Sequence, residues 1–166
     1  LFAIGAAAMM GASKVIGIDI SEFRLSGAKA MGATHVLNSR TDDVVKAVLD
    51  LTGGYGADAI IEASGSVEAI KTAFKYLRKG GRFGMIGLPT KPIELELGSD
   101  VVFKEAKVFG IHRRKMFETW RAMEEALASG KLDISPVLTH EIPLESYAEG
   151  IALAKSGQAN KVIFVP

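Results

Sequence analysis

A chain of 166 residues, 48% hydrophobic and 23% charged, holds enough apolar material for one sizeable core, or for one domain with an appendage. Its 20 Lys and Arg against 19 Asp and Glu leave a formal net charge of +1, which offers no electrostatic footing for nucleic acid, an anionic membrane or a strongly charged partner. The absence of cysteine excludes a disulfide framework and any thiolate-ligated metal, and is compatible with a reducing cytoplasm.

The apolar opening from Leu1 to Met10 is too short to span a bilayer and lacks the basic flank of a signal peptide. Without an initiator Met, it is expected to belong to a longer protein. Three junctions then repeat one theme: Met10-Gly11-Ala12 before Lys14-Val15-Ile16, Met31-Gly32-Ala33 before His35-Val36-Leu37, and Gly56-Ala57 before Ala59-Ile60-Ile61. Each predicts a helix stopping into a strand, because a helix commonly ends on a left-handed residue that glycine adopts without steric cost. Short apolar strands alternating with helical stretches predict a parallel sheet covered on both faces.

Between these strands, Thr41 is expected to cap a helix through Asp50 with Val44, Val45, Val48 and Leu49 inward. Ser66 is expected to cap another, with Ile70, Ala73, Phe74 and Leu77 inward and Lys75, Arg78 and Lys79 closing its negative end. Arg82 to Ile86 predicts a strand ending in Gly87-Leu88-Pro89, and Ile93, Leu95 and Leu97 alternate with Glu94 and Glu96 as in a half-exposed strand. Lys107 to Ile111 predicts a further strand. Met116, Trp120, Met123 and Leu127 then form a stripe at helical spacing, expected to serve packing and not to hold a cofactor. Pro136 to His140 suggests a strand, Leu144 to Ala154 a helix and Lys161 to Val165 a last strand.

The most informative residue is Asp19, an acid at the carboxyl end of the apolar run Lys14 to Ile18. In dinucleotide-binding βαβ units an acid at this place accepts hydrogen bonds from the adenosine ribose, and repels the extra phosphate of NADP, so it predicts NAD. A charged hydrogen bond of this kind contributes roughly 1.5 to 3 kcal/mol. The alternative is a surface Asp ahead of a helix begun at Ser21. Ile20 can lie against a purine face, and Arg24, one turn into the helix, can reach the ribose; its guanidinium leaves NADP disfavoured and not excluded. The glycine-rich turn that completes this fingerprint, about 20 residues upstream, is not in the sequence.

Ser64-Gly65-Ser66 and Gly87-Leu88 fall at further strand carboxyl ends, where open α/β sheets bind ligands and small residues admit a flat ring. His35, His112 and His140 have no metal-ligand spacing, and no H-E-x-x-H, P-loop or G-x-S-x-G occurs. No nucleophile or metal site is therefore expected within the chain. His112, beside Arg113 and Arg114, is either a solvated loop residue or one that approaches the cofactor.

From Lys14 onward the chain resembles the coenzyme-binding and C-terminal portion of the zinc-dependent medium-chain dehydrogenases. The resemblance rests on Gly17-Ile18-Asp19-Ile20-Ser21-Glu22-Phe23-Arg24, on Gly87-Leu88-Pro89 and on Arg114-Lys115-Met116-Phe117-Glu118-Thr119-Trp120. Weaker support comes from Gly130 to Pro136 and from Thr139-His140. The Met-Phe-Glu-Thr-Trp string separates a threonine-oxidising branch from the polyol and simple alcohol enzymes.

By position, the resemblance implies that Asp19, Ile20 and Arg24 hold the adenosine end. Ser64 would lie beside the cofactor, Gly87, Leu88, Ile111 and His112 would frame the nicotinamide half, and Lys161 would face the pyrophosphate. Two departures stand out: Arg113 where glycine is expected, and His112 where Thr or Tyr is usual. The resemblance also implies a Rossmann-type doubly wound parallel sheet over residues 1–111, lacking its first strand and glycine turn, followed by a C-terminal α+β extension over 112–166.

The function so implied is hydride transfer from a secondary alcohol, most of all the 3-position of L-threonine, to NAD in a cytoplasmic homo-oligomer. Zinc would be held by ligands outside this chain, and the chain would supply no catalytic residue. Alone it is expected to turn over nothing and to bind NAD weakly or not at all, having lost the pyrophosphate-binding helix start. The absent strand would be replaced by the opening segment or by a partner chain. The alternatives are a polyol or diol dehydrogenase, a non-redox adenosine-nucleotide module such as one for S-adenosylmethionine, and an assembly fragment.

Overall fold

The structure, a computed structural model, describes residues 1–113 and 115–166. In chain order its elements are α1 (Phe2–Met9), β1 (Ile16–Asp19), α2 (Glu22–Ala30), β2 (His35–Asn38), α3 (Val44–Leu51), β3 (Ala57–Glu62), α4 (Val67–Tyr76), β4 (Leu77–Met85), β5 (Lys107–Gly110), α5 (Glu118–Ala128), β6 (Leu138–Pro143), α6 (Tyr147–Ser156) and β7 (Lys161–Val165). Among the described residues every ladder is parallel, in three sheets ordered β1-β2, β3-β4-β5 and β6-β7. The α/β class with parallel strands is as expected. The opening segment is helical, so it supplies no replacement strand. No helix among the described residues is long and apolar enough to cross a membrane.

The chain divides into two compact units. The first comprises Leu1–Asp42 and Lys115–Pro166. In it β1 pairs with β2 from Ile16 opposite His35 to Asp19 opposite Asn38. Helix α2 starts on Ser21, whose hydroxyl accepts the Arg24 amide at 3.4 Å, and buries Leu25 and Ala28. It stops where Gly32 takes φ +98°, a conformation side chains rarely adopt. A second apolar cluster joins Met31, Ala126, Leu132 and Val137 with Leu1, Ile4 and Ile134 packed against it. Strand β7 is placed as expected; β6 begins at Leu138, after a 3₁₀ turn over Ser135–Val137, and α6 begins at Tyr147, after another over Leu144–Ser146.

The second unit is Asp43–Arg114, of which Arg114 lies outside the described residues. Strand β4 is central, and its Phe83 stacks on Phe74 of α4 with ring centroids 4.4 Å apart. Both rings are buried together with Ile70 and Val48. Ser66 caps α4 as expected.

Four expectations need correction. Asp43, not Thr41, caps α3: its carboxylate accepts the Lys46 amide at 3.0 Å, and an ionised cap suits a helix N-terminus better than a hydroxyl. Helix α4 ends at Tyr76, and Arg78 and Lys79 lie in β4, where Arg78 meets Asp58 of β3 at 2.6 Å. The Ile93/Leu95/Leu97 run forms no strand; Leu97–Val102 is a π-helical turn, wound around the buried Asp100, which pairs with Lys75 at 2.8 Å. The stripe formed by Met116 and, on α5, Trp120, Met123 and Leu127 does not pack inward: the four are 59, 44, 48 and 37% exposed, and the helix buries Ala126 instead.

Candidate functional site

In the first unit the chain turns out of β1 at Asp19. Its Oδ1 accepts the backbone amides of Ile20 at 2.8 Å and Ser21 at 3.0 Å, which fixes the carboxylate in the turn that leads to the Ser21 cap. Asp19 therefore does serve the helix start, as the structural alternative had it. Its Oδ2 faces the Arg24 guanidinium, 3.9 Å away and too exposed to contribute more than about 1 kcal/mol. One oxygen is locked and the other is available to a hydroxyl donor. Ile20 stands half exposed beside it. At the end of the neighbouring strand the Ser39 amide donates to the Asp19 carbonyl, and the Asn38 amide group donates to Glu22.

In the same unit Lys161 opens β7 with its side chain exposed. The residue before it, Asn160, carries the one buried side-chain oxygen without a hydrogen-bond partner among the described residues, Oδ1.

In the second unit the ends of β3 and β4 are tied together by Glu62, a residue the sequence did not single out. Only 6% exposed, its carboxylate accepts the Ser64 amide at 2.7 Å, the Ser64 hydroxyl at 2.5 Å and the Gly65 amide at 3.0 Å. Its backbone carbonyl accepts the amides of Ile86 and Gly87 at 2.8 and 3.0 Å. The two loops are packed backbone to backbone: a β-carbon on Gly65 would stand 2.5 Å from the Leu88 carbonyl oxygen, and one on Gly87 would stand 2.5 Å from Glu62 Oε2. Glycine at 65 and 87 is thus required by loop against loop.

Ser64, expected beside a cofactor, spends its only hydroxyl proton on Glu62 and accepts the Ser66 amide at 3.0 Å. What it has left for a ligand is an acceptor lone pair and its backbone. Leu88 is exposed beyond these loops, and Ile111 continues β5, its amide donating to the Met85 carbonyl at 2.8 Å. His112 is exposed and its Nε2 accepts from Arg113 Nε at 3.1 Å. Arg113 holds φ +61°, the left-handed region in which glycine is comfortable.

Two further groups shape this unit. Lys104 Nζ donates to the carbonyls of Phe74, Leu77 and Lys75 at 2.5, 2.7 and 3.2 Å, closing the C-terminus of α4 with a cation; burial pushes its ammonium below the usual lysine range, against the pull of Asp100. Burial, and then the charge of Glu62, push the Tyr76 hydroxyl up to about 12. No group of three or more His, Cys, Asp or Glu among the described residues could hold a metal ion.

A family model described as zinc-binding dehydrogenase matches residues 1–129. The sequence is 43% identical over 166 residues to the L-threonine 3-dehydrogenase of Bacillus velezensis, covering all of this chain and 48% of that protein. It is 36% identical over 166 residues to the L-threonine 3-dehydrogenase of Pyrococcus furiosus, covering 99% of this chain and 48% of that one. The crystal structure of an alcohol dehydrogenase from Thermotoga maritima matches with a TM-score of 0.89 at 32% identity, over 99% of this chain and 46% of the other. The chain spans about half the length of the curated relatives it matches.

Proposed function

This chain belongs to the zinc-binding dehydrogenase family, and from that membership we propose that it is the coenzyme-binding part of an NAD-dependent secondary-alcohol dehydrogenase acting on L-threonine at its 3-position. The observation that carries the cofactor half is Asp19: one oxygen is fixed by the Ile20 and Ser21 amides and the other is open at a parallel strand's carboxyl end. A preoriented carboxylate accepts ribose hydroxyls without reordering, and opposes a 2′-phosphate by charge. Ile20 and Arg24 complete the adenosine end. Ser64, through its acceptor face and backbone, lies beside the nicotinamide half, which Gly87, Leu88, Ile111 and His112 frame; Lys161 faces the pyrophosphate.

The nicotinamide, when bound, takes the hydride from the alcohol carbon. The chain's own residues bind and orient it, and no step is assigned to a metal, because the described residues offer no ligand set. Residues 1–111 act as the coenzyme domain and 112–166 as its C-terminal extension, in a cytoplasmic homo-oligomer. The threonine assignment is supported by the two threonine dehydrogenases above and by Met116-Phe117-Glu118-Thr119-Trp120.

The test is to assay the full-length protein with L-threonine, sorbitol and 2,3-butanediol, using NAD and NADP in turn. Threonine with NAD is expected to give a kcat/KM at least about tenfold above the other pairings, a difference of about 1.4 kcal/mol. Reduction of neither cofactor by any of the three alcohols would overturn the enzyme assignment, and a preference for NADP would overturn the role given to Asp19.

A further inference from the structure

A buried acid with no part in proton transfer is costly unless its charge is matched by donors. Glu62 meets that condition entirely through the two loops it joins: the carboxylate is filled by Ser64 and Gly65, and the main-chain carbonyl of the same residue by Ile86 and Gly87. Each donor is a backbone amide or hydroxyl of a loop at a strand's carboxyl end. Oε1 takes three of these bonds, and Oε2 a longer one from Gly65 at 3.2 Å. The Gly87 Cα sits so close to Oε2 that a β-carbon there has no room. A change in the position or charge of this carboxylate is therefore transmitted to Ser64, Gly65 and Gly87 together.

Resting on the proposed dehydrogenase reading, we infer that Glu62 is the positioning residue of the nicotinamide end: its carboxylate fixes the 64–65 loop while its main-chain carbonyl fixes the 86–87 turn, setting the backbone and the Ser64 acceptor that meet the cofactor. Ser64 acts through this carboxylate, since its proton points to Glu62 and not outward. Glutamine in place of Glu62 keeps one acceptor oxygen, but turns an N–H group toward the Gly65 amide and removes the charge. The damage falls on the nicotinamide end. The adenosine end, built on Asp19 in the other unit, is left as it was.

AMP, which carries only the adenosine half of the dinucleotide, separates this role from a general loss of structure. In the full-length protein, Glu62→Gln is expected to raise the dissociation constant and KM for NAD about tenfold or more, with kcat at saturation within about threefold and AMP affinity within about twofold. Ser64→Ala, which removes the bond to Glu62 and the one from the Ser66 amide but leaves the buried charge in place, is expected to weaken NAD about two- to fivefold and leave AMP unchanged. NAD affinity within about twofold of the parent in Glu62→Gln, or parallel loss of NAD and AMP affinity, would overturn the proposal. If Glu62→Gln does not fold, Ser64→Ala decides: unchanged NAD affinity there overturns it. A parent protein that binds neither NAD nor AMP would sink the dehydrogenase reading itself, which is a different outcome from either.

Discussion

A carboxylate whose two oxygens do different work can be altered one oxygen at a time. At Asp19 the turn is held through Oδ1, and the ribose, in the proposed function, is met through Oδ2. Asp19→Asn keeps an Oδ1 acceptor for the Ile20 and Ser21 amides, so the melting temperature of the full-length protein should barely move. It replaces the other oxygen by a donor and deletes the charge. The ratio of kcat/KM for NADP over NAD should then rise by about one to two decades, read in parallel assays with the two cofactors. Arg113 offers a second substitution. Its φ of +61° costs an L-residue about 1 to 2 kcal/mol, whereas glycine adds roughly 0.5 to 1 kcal/mol of unfolded-state entropy. Arg113→Gly should raise the unfolding free energy by less than about 1 kcal/mol in urea titration; a loss instead would show that the His112–Arg113 hydrogen bond holds that loop. Asp19 was legible in the sequence because its meaning is local: an acid directly after an apolar strand. Glu62 was not, because its partners at 64, 65, 86 and 87 are brought together only by the pairing of β3 with β4.

Helix α4 shows the same division at the scale of an element. Its start was readable from Ser66 and its inward face from the spacing of Ile70, Ala73 and Phe74. Its end was misplaced because Arg78 and Lys79 look like cations at a helix terminus, whereas the cation that caps it is Lys104, almost thirty residues later. Likewise the alternation at Ile93 to Leu97 has the period of a strand, but a strand needs a partner; residues 93–96 take no regular structure, and Leu97–Val102 winds into a π-turn around Asp100, buried against Lys75. Two predictions belong here. Lys104→Met leaves the carbonyls of Phe74 and Leu77 without their donor and should destabilise the protein by about 1 to 3 kcal/mol in urea. Tyr76, the last residue of α4, has its hydroxyl pushed up from 10.0 to about 12 by burial and by Glu62. A pKa raised in the folded state means that the unfolded chain loses the proton first as pH rises. The stability tied to neutral Tyr76 is thus complete below about pH 10 and drains away between about pH 10 and 12, by up to about 3 kcal/mol. Tyr76→Phe should flatten that alkaline loss in pH-dependent unfolding, and an unchanged alkaline limb would show that Tyr76 is not the group responsible.

For the molecule as a whole, the apolar surface matters as much as the cofactor residues. The stripe along α5 has the spacing of a core-facing helix, yet the buried residue of that helix is Ala126, and Met123 and Leu127 on it are 48 and 37% exposed, with Met116 just ahead of it 59% exposed. Spacing reports which residues share a face; it does not report whether this chain supplies what covers that face. Side chains so exposed add little to the stability of the 166-residue chain while favouring its self-association. The substitutions Met123→Glu and Leu127→Glu, made together in the 166-residue chain, should therefore shift its melting temperature by no more than about 2 °C, corresponding to under about 0.5 kcal/mol. Binding of a hydrophobic dye should fall, and the sedimentation coefficient should lose its dependence on concentration. A large drop in melting temperature would mean that these side chains pack within the chain. The same pair in the full-length protein is the informative contrast: a loss of stability there, absent from the 166-residue chain, would place the cover of this face in residues outside these 166 or in a second copy.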